Sequence, residues 1–135
     1  MKQQLINMND ISSTQKRPEG QRVINDTLVK LDTKKHIDDL KNEAVWDEKK
    51  HNSVTLFKSD KMRIVLIGMQ AGFRLKEHTA PAVISVHVLD GKMNFVVDNN
   101  VVELHKGQLC TLQAKVPHAV EAIEETFFLL TLALI

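Results

Sequence analysis

From residue 53 to its last residue the chain is a series of short β-forming runs cut at even intervals by turn residues, and a chain written that way has few folds open to it. Runs at 53–57 and 62–67 flank Ser59, Asp60 and Lys61. Runs at 83–89 and 93–97 flank Asp90 and Gly91, an Asp-Gly pair that predicts a tight hairpin. Further runs at 101–105, 108–112, 118–123 and 126–134 are separated by Lys106 with Gly107, by a Pro117-containing stretch and by Glu124 with Glu125. About nine short strands at such spacing are the signature of an all-β sandwich or barrel. The closing apolar run from Phe127 is too short to cross a bilayer as a helix, so it reads as a buried strand.

The first fifty residues are written differently. Residues 1–20 are polar, without periodicity, and hold Pro18 and Gly20, which predicts a mobile tail. Residues 23–31 carry enough β-branched and apolar side chains for a strand. Asp32 and Thr33 then offer an N-cap, and Ile37, Leu40 and Ala44 fall at helical spacing through about residue 45. Segment 21–52 is therefore expected to be a strand and one helix packed on the outside of a β domain spanning 53–135, with Trp46 pinning the helix. His36 on that helix and His51 after it read as surface residues.

Charge and cysteine content narrow the partners. Eighteen Lys and Arg against seventeen Asp and Glu, for a net charge of +1, leave no extended basic face for a phosphate backbone. With no tyrosine and 4% aromatics there is no base-stacking platform either. Neither nucleic acid nor membrane is an expected partner. The lone Cys110 excludes an intrachain disulfide and fits a cytoplasmic setting; without a CxxC partner it is expected to pack in the core. No apolar run near Met1 is long enough for a signal peptide.

Two glycine-framed patterns in the β region each carry a histidine. The first starts at Gly72, reaches His78 after five residues, continues through Ala80 and Ile84, and ends at Gly91; the second starts at Gly107 and passes Gln113, Lys115 and Pro117 to His118 and Ala122. Together they resemble the two motifs of the cupin superfamily, G-x5-H-x-H-x3,4-E-x6-G and G-x5-P-x-G-x2-H-x3-N. The resemblance covers residues 62–134 and implies a single jelly-roll β-barrel, with the short N-terminal helix outside it. It also implies a homodimer, in which the 23–31 strand could extend a neighbour's sheet edge.

In that family the motif residues hold a divalent transition metal, so the resemblance raises zinc, iron, manganese or nickel as a cofactor. His78 and His118 match ligand positions, whereas Ala80 stands in place of the second histidine and Ile84 in place of the glutamate. Strand alternation puts His78 on one side with Lys76 and Ala80, and turns Ile84, Val86 and Val88 inward while Ser85, His87 and Leu89 face away. His87 joins a three-histidine site only if a bulge re-aims it. Glu103, His105, Cys110 and Gln113 occupy no ligand position.

Two readings stay open. In the first, the barrel binds a small molecule with His78 and His118 as polar anchors. That molecule is anionic if Arg74, Lys76 and His78 form a cationic rung, whereas the plainer alternative sends Arg74 and Lys76 to solvent. In the second, the chain is a metal-dependent enzyme of the dioxygenase or isomerase type, with His78, His118 and either His87 or water around the ion. The missing ligands at Ala80 and Ile84 favour the first. Buried histidines need partners, so the pair is expected to bond to each other, to water or to a ligand. Met62, Met69, Met93 and Phe95 read as core filler.

Overall fold

The computed structural model describes residues 24–135; the tail expected at 1–20 lies outside the described residues. The strand expected at 23–31 is absent over 24–31. Residues 25–28 bend, Leu28 is fully exposed to solvent, and the Asp26 carboxylate accepts the Thr27 N–H at 2.7 Å. Such local side-chain bonds compete with a strand ladder. The segment is tied to the barrel by the Lys58 N–H donating to the Ile24 carbonyl at 2.9 Å.

Where one helix was expected there are two, α1 (Thr33–Asn42) and α2 (Ala44–Lys49), broken at the extended Glu43. The Asp32 carboxylate caps α1 by accepting the Lys35 N–H. The break is held from outside the helices. Asn52, fully buried, donates its side-chain amide to the Leu40 carbonyl at 3.1 Å and to Glu43 Oε1 at 2.8 Å, so the end of α1 is satisfied by a strand residue that helical periodicity cannot see.

Nine strands follow: β1 (His51–Lys58), β2 (Met62–Met69), β3 (Arg74–His78), β4 (Ala82–Asp90), β5 (Lys92–Val97), β6 (Asn100–His105), β7 (Leu109–Leu112), β8 (His118–Ala122) and β9 (Thr126–Leu134). They form a five-stranded sheet in the order β1-β2-β9-β4-β7 and a four-stranded sheet in the order β3-β8-β5-β6. The two pack face to face. Val65 and Ile67 of β2, Val86 and Val88 of β4, and Phe128 and Leu130 of β9 meet Leu75, Met93, Phe95 and Val120 from the other sheet. On the outer face of the five-stranded sheet a second cluster joins Leu40 and Trp46 of the helices to Val54, Leu56, Leu66 and Phe127. Being buried on both faces, β2 and β9 read as near-continuous apolar runs. Among the described residues no helix is long and apolar enough to cross a membrane.

Asp90 and Gly91 do not make a hairpin. β4 and β5 lie in different sheets, and Gly91 turns the corner between them with φ +93. A Cβ there would overlap the Glu125 carbonyl, so the corner needs glycine for space as well as for dihedral. What holds the start of β5 is the β8–β9 connection: the Thr126 hydroxyl donates to the Lys92 carbonyl at 2.9 Å and accepts the Lys92 N–H at 3.1 Å. The two-residue hairpin lies one strand later, between β5 and β6, where Asp98 takes φ +54 and Val97 pairs with Asn100. His51, expected in a loop, opens β1 and stacks on Phe73 at 4.4 Å.

Candidate functional site

β3 ends at His78 and β8 begins at His118, and the antiparallel register sets these two residues directly opposite each other. The rings meet edge to face with centroids 4.3 Å apart, and the His118 ring lies nearly parallel to Phe95 at 5.4 Å. Both are buried, at 8% and 5% exposure. Each ring is fixed by its own strand: His78 Nδ1 lies 2.6 Å from the Lys76 carbonyl and His118 Nδ1 lies 2.9 Å from the Val116 carbonyl. A carbonyl oxygen can only accept, so each Nδ1 carries the proton and donates it. The neutral ring then keeps its lone pair on Nε2. The partners expected for the pair were each other, water or a ligand; both Nδ1 atoms bond instead to backbone carbonyls of their own strands.

A bulge, not simple alternation, aims His78. Leu75 pairs with Val120 and His78 with His118, so Lys76 and Glu77 together face Ala119 alone. The extra residue puts His78 on the same inner side as Leu75 and sends Lys76 out. Arg74 and Lys76 are both exposed, Arg74 across from Glu121, and the cationic rung with His78 does not form. Sequence alternation could not reveal this, because a bulge leaves no mark that period-2 counting registers.

On the facing sheet the alternation holds. Ala82, Ile84, Val86 and Val88 of β4 are buried inward, while Ser85 and His87 lie on the other face, half-buried. His87 therefore does not join the histidine pair. Ala80 is buried in the inner core, and Ile84, at 3% exposure, stands between Leu132 and Leu112 on neighbouring strands. Glu103 and His105 sit on the outside of β6, bonded to each other at 2.8 Å. Cys110 is half-buried against the inner core, where burial pushes its thiol pKa up. Met69 and Met93 fill the core as expected, whereas Met62 is exposed.

His78, His118, Ala80 and Ile84 lie at one end of the barrel. β2, β4, β6 and β8 begin there, and β3, β5, β7 and β9 end there, as the pairings Met62 with Ala133, Ala82 with Leu134, Val97 with Asn100 and His78 with His118 require. The Lys115 N–H donates to the Ala80 carbonyl at 2.9 Å and ties the loop before β8 to the loop after β3. Lys115 stands where the motif carries glycine and takes φ +67, so the backbone form is kept without the residue that adopts it most easily. Two residues were not singled out by the sequence. Phe95, read as core filler, is the platform for His118; Arg63 lies on the inward face of β2, in register with Leu132.

Burial is the main cause that lowers both ring pKa values from the ordinary 6.5. For His78 the Lys76 carbonyl works against this and the neighbouring His118 adds to it. For His118 the Val116 carbonyl and Glu77 oppose it. At neutral pH both are thus uncharged. Because the unfolded chain binds these protons at a higher pH than the folded one, stability from the neutral pair is complete above 6.5 and falls as pH drops below it toward the folded values. The double change His78→Asn, His118→Asn keeps a donor near each carbonyl but removes the titration. Its urea midpoint is expected to fall less between pH 7 and pH 5 than that of the parent; an unchanged pH slope would contradict the buried neutral pair. His51, also lowered chiefly by burial, supplies a common background in both chains.

The donor set can be tested against the metal that the motifs imply. Two neutral imidazoles face apolar side chains at both remaining ligand positions, and among the described residues no three His, Cys, Asp or Glu side chains converge. Zinc sites use three or four protein ligands, and other first-row metals similarly depend on a matched donor set. The residues present do not fit a resident divalent ion.

Comparison with known proteins agrees with the architecture. The family model described as Cupin domain matches residues 65–132, half of the chain. No curated protein sequence matches. Among solved structures, a conserved protein of unknown function from Streptococcus pyogenes is 25% identical with a TM-score of 0.60, over 63% of this chain and 75% of its own. An RmlC-like cupin protein from Desulfovibrio desulfuricans is 24% identical with a TM-score of 0.60, over 68% and 90% of the two chains. A cupin 2 conserved barrel domain protein from Leptotrichia buccalis is 33% identical with a TM-score of 0.60, over 64% of this chain and 42% of that one. Strand order, the paired histidines and the family match converge on one statement: this chain belongs to the cupin family.

Proposed function

We propose that the chain is a small-molecule-binding cupin whose barrel takes an organic ligand at the histidine end, with His78 and His118 as its polar anchors. The observation that carries this reading is the state of the pair. Both rings are neutral, both are held by Nδ1–H donation to backbone, and both keep an Nε2 lone pair, in a barrel whose inner core includes Ile84 and Leu132. Concave apolar surface with a few fixed polar groups is the ordinary make-up of a ligand site. Two Nε2 acceptors ask for a partner that donates, such as a hydroxyl or an N–H group.

The second reading, a metal-dependent cupin enzyme of the dioxygenase or isomerase type, draws support from one feature of the same geometry. An Nδ1–H bond to a carbonyl is how metal-ligating histidines are commonly oriented. The apolar residues at Ala80 and Ile84 weigh against it.

A thermal-unfolding screen of small organic molecules against the metal-free chain separates the readings. Molecules that bind the folded state raise Tm by mass action. The expected result is a set of stabilising compounds that lose their effect in the His78→Ala, His118→Ala chain. Compounds that stabilise both chains equally would place binding elsewhere and contradict the proposal.

A further inference from the structure

The inner face of the barrel is not covered evenly. β6 and β7 are free edges of their sheets and do not pair with each other. The turn at 106–108 joins them at one end, where the Val88 carbonyl accepts the Gly107 N–H at 2.8 Å and the Val88 N–H donates to the Gln108 carbonyl at 2.9 Å. From that clamp a seam runs between the two strands toward the histidine end, finishing at Asn100 and Leu112. Exposure of the inward residues of β6 rises along it. Leu104, paired with Met93, is buried; Val102, paired with the core ring Phe95, is 44% exposed; Asn100, paired with Val97, is exposed. Leu75 and Val120 continue the row of Val102 and Phe95 across the sheet and both are buried, so solvent reaches this row only at the seam. Between β1 and β3, the other two sheet edges, His51 stacks on Phe73 and the inner residues Met69 and Leu75 are buried.

We propose that the ligand of the histidine pair is a neutral alcohol with an apolar body, that it enters through the seam between β6 and β7, and that Val102 sets the width of body admitted. The inference rests on the small-molecule reading above and adds its ligand class, its route and a specificity-determining residue. Contact connects the seam to the pair. Val102 is the direct cross-strand neighbour of Phe95, and Phe95 lies nearly parallel to His118 at 5.4 Å. An apolar body against Val102 is therefore one ring away from an imidazole. The inward lining of the seam is apolar as well: Val97, Cys110 and Leu112 are half-buried against the core, whereas Glu103 and His105 bond to each other on the outer face of β6. An ionised body would find no counter-charge on the inner face of either edge strand, while an apolar one gains by leaving water. The head group follows from the rings. Both Nδ1 atoms donate to backbone, which leaves two Nε2 acceptors, and a hydroxyl supplies the donor they lack.

The test is a titration of the full chain, labelled with ¹⁵N-histidine, with 1-hexanol and with its isomer 1-methoxypentane, an ether that has no donor. Ring signals of His78 and His118 report binding. The expected result is that hexanol shifts both rings at about 10 mM, where a millimolar ligand is largely bound, and binds about fivefold more tightly than the ether, the worth of one hydrogen bond. Val102→Trp fills the seam and is expected to weaken hexanol about tenfold. Val101→Trp, on the outer face of the same strand, is expected to change it by less than about twofold. Val102→Ala, which adds no bulk and keeps the test open should Val102→Trp fail to fold, is expected to favour cyclohexylmethanol over hexanol several-fold more than the parent does. Hexanol affinity and alcohol preference that stay at parent values in the Val102 variants would overturn the proposal and leave the small-molecule reading standing. Equal weakening by Val101→Trp and Val102→Trp would overturn it too, as would no ring shift with hexanol, equal binding of hexanol and the ether, or tighter binding of the cation hexylammonium than of hexanol. If hexanol raises Tm of the His78→Ala, His118→Ala chain as much as that of the parent, it is the histidine anchors, and so the underlying reading, that fail.

Discussion

Phe127→Ala is expected to destabilise the chain by about 3–5 kcal/mol, the range for removing a fully buried ring from a core that cannot collapse around the gap. Phe127 is 1% exposed and stacks on Trp46 with centroids 5.3 Å apart and planes 21° from parallel. Its other side occupies the space over Gly68, where a Cβ would overlap the ring. The ring is thus the link between the outer face of the five-stranded sheet and the helix pair, and the indole above and the backbone below are both fixed. Losing it should loosen the helices as well as open a cavity. Urea unfolding followed by circular dichroism, with Trp46 fluorescence as a second probe, measures the loss. A change under about 1 kcal/mol would mean that the helices are not packed through this contact.

The second large effect concerns the two motif positions at which this chain carries Ala80 and Ile84. Ile84→Glu places a carboxylate between Leu132 and Leu112, on a strand whose inward residues are all apolar. An unpaired buried charge costs on the order of 3–5 kcal/mol, or the group takes up a proton to avoid it. Adding Ala80→His supplies the missing imidazole. The double variant then has three histidines and a glutamate at the motif positions, and metal binding should return what the carboxylate removed. Excess zinc or nickel is expected to raise its stability by about 4 kcal/mol at a thousandfold excess over Kd, while leaving the parent chain nearly unchanged. A variant that melts like the parent and ignores added metal would mean that the loops around Ala80 no longer hold the family's ligand geometry.

How far the sequence could be read depended on which physics wrote each feature. The β domain was legible because turn residues and β-forming runs report on local backbone preference, and the inward set Ile84, Val86 and Val88 followed from period 2 on a strand that is regular where it matters. The Asp90-Gly91 pair was misleading for a tertiary reason: the same dipeptide that closes a hairpin also turns a corner, and the choice is made by Thr126 and Glu125, more than thirty residues away. The break at Glu43 was hidden similarly, since Asn52 holds it. Spacing singled out His78 and His118, and the register sets them opposite each other. Their neighbours were not legible in this way, because the bulge at Lys76 and Glu77 exchanged an expected cation for Leu75 as the inward companion of His78. Arg63 was visible in principle as the one charge in a strand of apolar residues, but its inward face becomes plain only once β9 and the helices show that β2 is covered on both sides.

The proposed reading is that the histidine pair of this cupin barrel serves an organic ligand and not a resident metal. The most direct measurement is the metal content of the full chain purified without chelator or added metal, set beside His78→Ala, His118→Ala. The account predicts iron, manganese, nickel and zinc all far below one ion per chain in both proteins. A stoichiometric ion in the parent that vanishes in the double variant would contradict it.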